Sequence, residues 1–431
     1  MRFEPAHAYS HDPASLWRRL LDSGDRVSYE PELGLWLIAG HDLARTVLTD
    51  TRRFSSAIAL TPAVALNADA AAILDRLDVP TVAVTADPPR HAGVRAPLAT
   101  VFATSAARAE QQWGHLVRHR ADQLADHLAH HITATAWPDV DLVELVSSRL
   151  PLLVMLDILG IPTDDYARIA AWADNFAALM WGRLDDDEQI SAANGLLALW
   201  DFCRDLVELR ADVDLDEQRD GLIADLLRYR NGDDHRLTLP ETAAQILTLL
   251  LAGWESTAAA LAQALEHALA DRGRWARLAV DEHYAVLHTE ETLRHSPAVD
   301  ALHRITTTDV DLAGTVIPAG SRCLVLIGAA NHDSHIFEQP DTFQPVRARL
   351  SQHLSFGTAA HSCLGAALAR LQITTGLSAL ARRLPDLMLA PGYTRRYRPS
   401  TSLRQHTALP ATLGPSNCPV AHEALSPARC R

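Results

Sequence analysis

Residues 356–365, Phe-Gly-Thr-Ala-Ala-His-Ser-Cys-Leu-Gly, present one cysteine, Cys363, at the end of a loop of small residues. Gly357, Ala359, Ala360 and Gly365 keep bulk away from the sulfur and give the backbone freedom to turn, so a flat partner can approach closely. The run 364–371 is rich in helix formers, which places Cys363 beside a helix N-terminus, where N–H groups and the dipole favour a thiolate. The chemistry on offer is that of a sulfur ligand to a metal. A second polar group lies in Ala252-Gly-Trp-Glu-Ser-Thr257, a glycine followed by hydroxyls that can bond back to carbonyls one turn earlier and bend a helix around a small ligand.

These groups need elements to hold them. Thr238-Leu-Pro-Glu241 has capping-box spacing with proline in the first turn, and opens a helical pattern that continues to about Asp271. At ~1.5 Å per residue such a helix is roughly 50 Å long and crosses a whole domain. Alanine and leucine recur at helical spacing through most of the chain, while strand-like alternation is confined to short pieces such as 27–38 and 323–327. The fold class is therefore mainly α with small β-sheets. The acidic stretch 212–220 and the turn-rich 231–235 read as loops between helices, and the segment 414–431 lacks periodicity and is expected to be disordered. Cys418, His422 and Cys430 in that tail read as incidental rather than as metal ligands.

The chain has 431 residues and a formal charge of −14, a balance that argues against broad nucleic-acid binding. Its five cysteines are widely spaced with no Cys-x-x-Cys pair, which indicates neither a disulfide framework nor a zinc site and fits a reducing cytoplasm. The N-terminus lacks an apolar core of signal-peptide length, and no uncharged apolar stretch of about 18 residues is present to span a membrane.

The cysteine loop resembles the signature of the cytochrome P-450 superfamily, Phe-Gly-x-Gly-x-His-x-Cys-x-Gly, at every fixed position but one, where Ala359 replaces glycine and asks for a slightly different backbone. Three further motifs follow the family's order. Ala252 to Thr257 is similar to the oxygen-binding Ala-Gly-x-(Asp/Glu)-Thr-Thr, in which an acid and an alcohol relay protons; by position Glu255 is the acid and Ser256, in place of the usual threonine, the alcohol. Glu291-Thr-Leu-Arg294 matches the Glu-x-x-Arg pair that locks the segment before the haem loop, with Arg347 or His353 as its third member. Asp87-Pro-Pro-Arg-His91-Ala-Gly-Val-Arg95 resembles Asp-Pro-Pro-x-His-x-x-x-Arg, which sends a histidine and an arginine to the haem propionates. Departures are His332 for arginine, Ser334 for proline and Gln372 for glutamate, and they bear on contacts with redox partners.

The resemblance covers about residues 10–413, makes 1–413 one cytochrome P-450 domain, and implies a triangular helical fold around a long oxygen-binding helix. It implies haem b ligated by Cys363, with His91, Arg95, Ala252, Arg304, Phe356, His361 and Gly365 around it, and dioxygen as co-substrate. Electrons would come from NAD(P)H through a ferredoxin and its reductase, docking near Arg95 and the haem loop of a cytoplasmic monomer. The same register places Thr248, Leu251 and Ala252 over the haem, and Asp300, Gln405 and His406 in the substrate pocket, with residues 58–84 and 172–200 shaping the rest. Those three polar residues point to an amine-, amide- or indole-bearing substrate of natural-product type. The implied reaction is monooxygenation; oxidative carbon–carbon or carbon–nitrogen coupling by the same haem, and a non-catalytic haem-binding partner module, are the alternatives.

Overall fold

The computed structural model describes residues 13–102, 104–134, 139–213 and 221–414. The tail with Cys418, His422 and Cys430 thus lies outside the described residues, as does most of the acidic loop 212–220. In chain order the helices are α1 (Pro13–Asp22), α2 (His41–Thr49), α3 (Ala68–Leu74), α4 (Arg90–Val101), α5 (Ala106–Ala134), α6 (Arg149–Leu159), α7 (Tyr166–Ala173), α8 (Phe176–Trp181), α9 (Asp186–Ala211) and α10 (Leu222–Arg230). They continue as α11 (Leu239–Leu269), α12 (Arg272–Leu278), α13 (Glu282–His295), α14 (Ile327–Asn331) and α15 (Ala366–Arg383).

Helix α11 starts as its sequence asks. Thr238 accepts from the Glu241 N–H while Glu241 reaches back to the Thr238 N–H, and proline occupies the first turn. It runs without interruption through Gly253, so the expected local opening is not a break in the helix. A β-carbon at Gly253 would come within 2.9 Å of the Met155 sulfur, and the glycine serves close packing of α11 on α6. α11 also packs on α9, α13 and α15, which makes it the axis of the main core. By length and composition it could cross a membrane, but its apolar residues are buried among those helices.

The sheets are small and lie to one side. Strands β1 (Val27–Glu30), β2 (Leu35–Ile38), β3 (Phe54–Ser55), β5 (Ala301–Thr306) and β8 (Arg322–Leu326) form one sheet in the order β1-β2-β8-β5-β3, with β2 and β8 parallel and the other pairs antiparallel. The segment 27–38 is thus a hairpin, and it pairs with the other strand expected from sequence, Trp36 opposite Cys323. A second sheet joins β4 (Val140–Asp141), β10 (Pro410–Leu413) and β9 (Leu387–Leu389), and β6 (Val310–Leu312) pairs with β7 (Thr315–Ile317). The β6–β7 turn is Ala313-Gly314, both at positive φ, as a two-residue hairpin requires.

Glu291 and Arg294 on α13 are both 0 % exposed and joined by two 2.8 Å bonds. Arg347 is the third member, its Nε 3.3 Å from Glu291, whereas His353 contacts the neighbouring Glu290 at 3.2 Å. Two departures from the family pattern, His332 and Gln372, are buried, so neither is a surface contact for a redox partner.

Candidate functional site

Cys363 stands three residues before α15, at whose N-terminus the backbone N–H groups of Gly365 and Ala366 donate to the sulfur. Its own N–H bonds the Phe356 carbonyl at 2.8 Å, which closes the loop on itself. The sulfur is exposed at the surface it offers, yet it lies deep among protein atoms. That burial pushes the thiol up and outweighs the N–H donors, Arg95 and Arg370, so the expectation that the loop alone favours the thiolate is not met. A bound metal deprotonates a coordinating thiol outright, which supplies what the loop does not.

Gly357 and Ala359 are both at positive φ, +64° and +56°. Sequence reasoning expected Ala359 to demand a different backbone. The structure keeps the left-handed turn that glycine would adopt, and the alanine carries the steric cost, because the turn is fixed by what flanks it. Phe356 packs under the Arg370 guanidinium, 4.4 Å from the ring centre, and Gly365 precedes α15 as its cap.

The four cationic or donor groups named from sequence converge around this loop. The rings of His91 and His361 are 4.4 Å apart, Arg95 donates to the Ser362 carbonyl at 2.6 Å, and Arg304 on β5 is 4 % exposed with one donor spent on the neighbouring His303 carbonyl. His361 also meets the Ser56 hydroxyl at 3.1 Å, a partner that no sequence motif marked. Burial first, then Arg304 and His91, hold His361 down at about 4. The nearby carboxylate, Asp87, is engaged by Ser55 and by the Ser56 N–H. His91 Nε2 is buried with no hydrogen-bond partner among the described residues. Buried cations and an unspent imidazole N–H beside an accessible sulfur fit a flat, dianionic metal macrocycle, and haem with its two propionates is such a group.

On α11, Thr248 and Ser256 are half-buried and Ala252 is exposed, although the helix around them is largely buried. Positions 248, 252 and 256 share one helix face. Thr248 and Ser256 each bond back to the carbonyl four residues earlier, at 2.7 Å, and Leu251 joins the core. Glu255 is buried; desolvation pushes it up to about 8 against a 3.5 Å contact from the Gln405 amide and a bond from the Ala177 N–H. Burial thus favours its protonated form.

Two residues expected in the substrate pocket turn elsewhere. Asp300 is 0 % exposed and lies 3.3 Å from Arg404, and His406 is buried with Nε2 3.0 Å from Glu266, three turns along α11 from Glu255. A carboxylate or imidazole in a mostly apolar interior seeks a charge partner, and Arg404 and Glu266 supply it. Of the three, Gln405 alone is half-buried and next to Glu255.

A long core helix with an acid and alcohol, a cysteine loop ahead of a second helix and a buried Glu–Arg lock together define the haem-thiolate class of oxygenase. The chain belongs to the cytochrome P450 family. The family's sequence model, Cytochrome P450, matches residues 283–385. The chain is 31 % identical to cytochrome P450 monooxygenase PikC of Streptomyces venezuelae over 93 % of its length and 91 % of the relative's. It is 31 % identical to nocardicin C N-oxygenase of Nocardia uniformis subsp. tsuyamanensis, covering 88 % and 89 % of the two chains. Mycinamicin IV hydroxylase/epoxidase of Micromonospora griseorubida is 32 % identical over 75 % of this chain and 78 % of that one. Among solved structures, cytochrome P450 CREJ in complex with (4-ethylphenyl) dihydrogen phosphate superposes with a TM-score of 0.87 at 26 % identity, covering 96 % of this chain and 99 % of that one. An intact type IV self-sufficient P450 monooxygenase gives 0.88 at 29 % identity over 97 % of this chain and 53 % of its own. The protein is thus a P450 monooxygenase, an oxidoreductase of a family that holds haem on a cysteine thiolate and uses dioxygen.

Three measurements probe this geometry. Ala359→Gly relieves the left-handed alanine and is expected to stabilise the apoprotein by about 1 kcal/mol in chemical denaturation. Asp300→Ala strands Arg404 and is expected to cost about 3–5 kcal/mol, with unchanged affinity for an amine-bearing ligand in spectral titration. Glu255 has a raised folded pKa, so the stability tied to its bound proton is present at low pH and is lost as pH rises from the unfolded value, near 4.5, through about 8. Glu255→Gln is therefore expected to raise the melting temperature more at pH 8.5 than at pH 5, and equal gains at both would contradict a buried neutral acid.

Proposed function

We propose that this enzyme oxidises a small, uncharged and largely apolar organic molecule, by hydroxylation or a related oxygen insertion, in natural-product biosynthesis. The observation that carries the reading is the accessible face Thr248–Ala252–Ser256 on an otherwise buried helix, next to the buried carboxyl of Glu255, whose protonated form burial favours. The similarity to mycinamicin IV hydroxylase/epoxidase and nocardicin C N-oxygenase, both named for natural products, supports the biosynthetic setting. With Asp300 and His406 committed to buried partners, the pocket loses the charges that would have favoured a cationic substrate. Gln405 remains as a polar group on that side, and it already contacts Glu255.

In this reading Cys363 holds the haem iron, and His91, Arg95, Arg304 and His361 hold the propionates. The haem, when bound, supplies the activation of dioxygen. Thr248 and Ala252 border the space for oxygen and substrate, and the largely apolar side chains nearby exclude water. Ser256, whose hydroxyl donates to the Ala252 carbonyl, lies on that face, and Glu255 on the adjoining face stores the proton that the hydroxyl passes on. Serine lacks the methyl that fixes the threonine rotamer, so this hydroxyl has more freedom. Electrons arrive from NAD(P)H through a ferredoxin and its reductase, and the enzyme acts in the cytoplasm as a monomer.

The test begins with a panel of neutral macrolactones and amino-acid-derived natural products screened by the spin shift of the ferric enzyme. With a ligand found, Glu255→Gln and Ser256→Ala are expected to leave that shift in place while lowering product formation by roughly 10²-fold and diverting reducing equivalents to peroxide. Full, coupled turnover in both variants, or a product without label from isotopic dioxygen, would sink the reading.

A further inference from the structure

We infer that Gln405 is a positioning residue for the Glu255 carboxyl, clamped in place by the charged residues on either side of it. This rests on the reading of Glu255 as the proton-bearing acid. Three consecutive residues, Arg404, Gln405 and His406, each meet an acidic side chain: Asp300 at 3.3 Å, Glu255 at 3.5 Å and Glu266 at 3.0 Å. Three successive side chains of this segment thus end on three different acids. Glu255 and Glu266 lie three turns apart on α11, roughly 16 Å, and the segment bridges between them.

The clamp has further anchors. The Arg404 N–H bonds the Ala298 carbonyl at 2.8 Å, and its guanidinium donates to the Tyr397 hydroxyl at 3.0 Å while lying 5.3 Å over the Trp17 ring. Thr401 binds the Trp181 carbonyl at the end of α8 through its N–H at 2.7 Å. Gln405 therefore cannot follow a moving substrate. Its amide donates to Oε1 of Glu255 at 3.5 Å.

The other charged groups acting on Glu255 are Arg398, from the same C-terminal segment, and Asp174, just before α8, and they pair with each other at 3.7 Å near the surface. The Ala177 N–H from α8 is the second donor, and Ser256 is its neighbour on α11. The amide of Gln405 favours the ionised carboxylate, so its removal makes the acid harder to ionise.

Infrared difference spectroscopy across pH on the ferric, haem-loaded enzyme reads the protonated carboxyl directly, and Glu255→Gln assigns the band. In Gln405→Leu the band's midpoint is expected to rise by about one pH unit and its frequency to shift, with the haem spectrum unchanged. Asp300→Asn, which loosens the clamp and leaves Gln405 itself intact, is expected to broaden the same band. If Gln405→Leu does not fold, Gln405→Met, whose flexible chain fills the same space, serves for the measurement. An unmoved midpoint and frequency in a folded Gln405 variant overturns the inference and leaves the acid reading standing. A wild-type enzyme with no titrating band that Glu255→Gln removes would instead overturn the acid reading itself.

Discussion

The Glu291 carboxylate has no access to water, and the haem loop depends on how it is satisfied. Arg294 gives it two bonds, Arg347 a third contact, and the Gln344 N–H a fourth at 2.7 Å. Arg294 in turn donates to the carbonyls of Asn331 and Pro340, and Asn331 holds the Leu354 N–H and the Ser355 hydroxyl, directly before Phe356. The preceding residue on α13, Glu290, contacts His353 ahead of the loop and Arg370 behind it. A single helix thus staples both ends of the segment that presents Cys363. Removing one member would leave a buried charge unpaired, at about 3–5 kcal/mol, which is why the lock tolerates no half measures.

Helix α11 shows how one side chain type takes opposite states from its surroundings. Glu255 and Glu266 both face the interior, yet burial pushes Glu255 up to about 8, while Glu266 is held at about 2, where its partners outweigh the same desolvation. Those partners are His406, Arg395 and the Tyr393 hydroxyl, all from the C-terminal segment. Glu266 is a fixed anion that ties that segment to the core. Glu255, with only amide donors at hand, is left able to gain and lose a proton near neutral pH.

Much of this was legible in the sequence because it rests on local pattern. The capping box of α11, the glycine-flanked cysteine and the three-residue spacing of Glu291 and Arg294 are short-range features, and each settles in the expected element. The misreadings concern side chains whose direction depends on distant partners. Asp300 and His406 are polar residues in segments that border the site, and nothing local says that Arg404 and Glu266 capture them. Choosing Arg347 over His353 required knowing that Glu290, one residue away, offers His353 a partner of its own. Ala359 held its unusual backbone because the loop's ends are fixed from outside, which local propensity cannot express.

His332, a departure from the family's arginine, is explained by crowding of positive charge. All 39 basic residues of this chain are arginines, and guanidinium groups do not shed their charge when buried. Burial first, then His295, Arg294 and Arg404, hold His332 neutral, far below its ordinary value. A further arginine here would add a third guanidinium beside Arg294 and Arg404. The neutral imidazole instead donates through Nδ1 to the Gly328 carbonyl at 2.9 Å and lies 4.6 Å from the Trp17 ring. Gly328 makes that contact possible, since a β-carbon there would come within 2.1 Å of Trp17. The substitution thus trades a charge for packing, and through Trp17 it fastens α1 to the segment that carries Gln405.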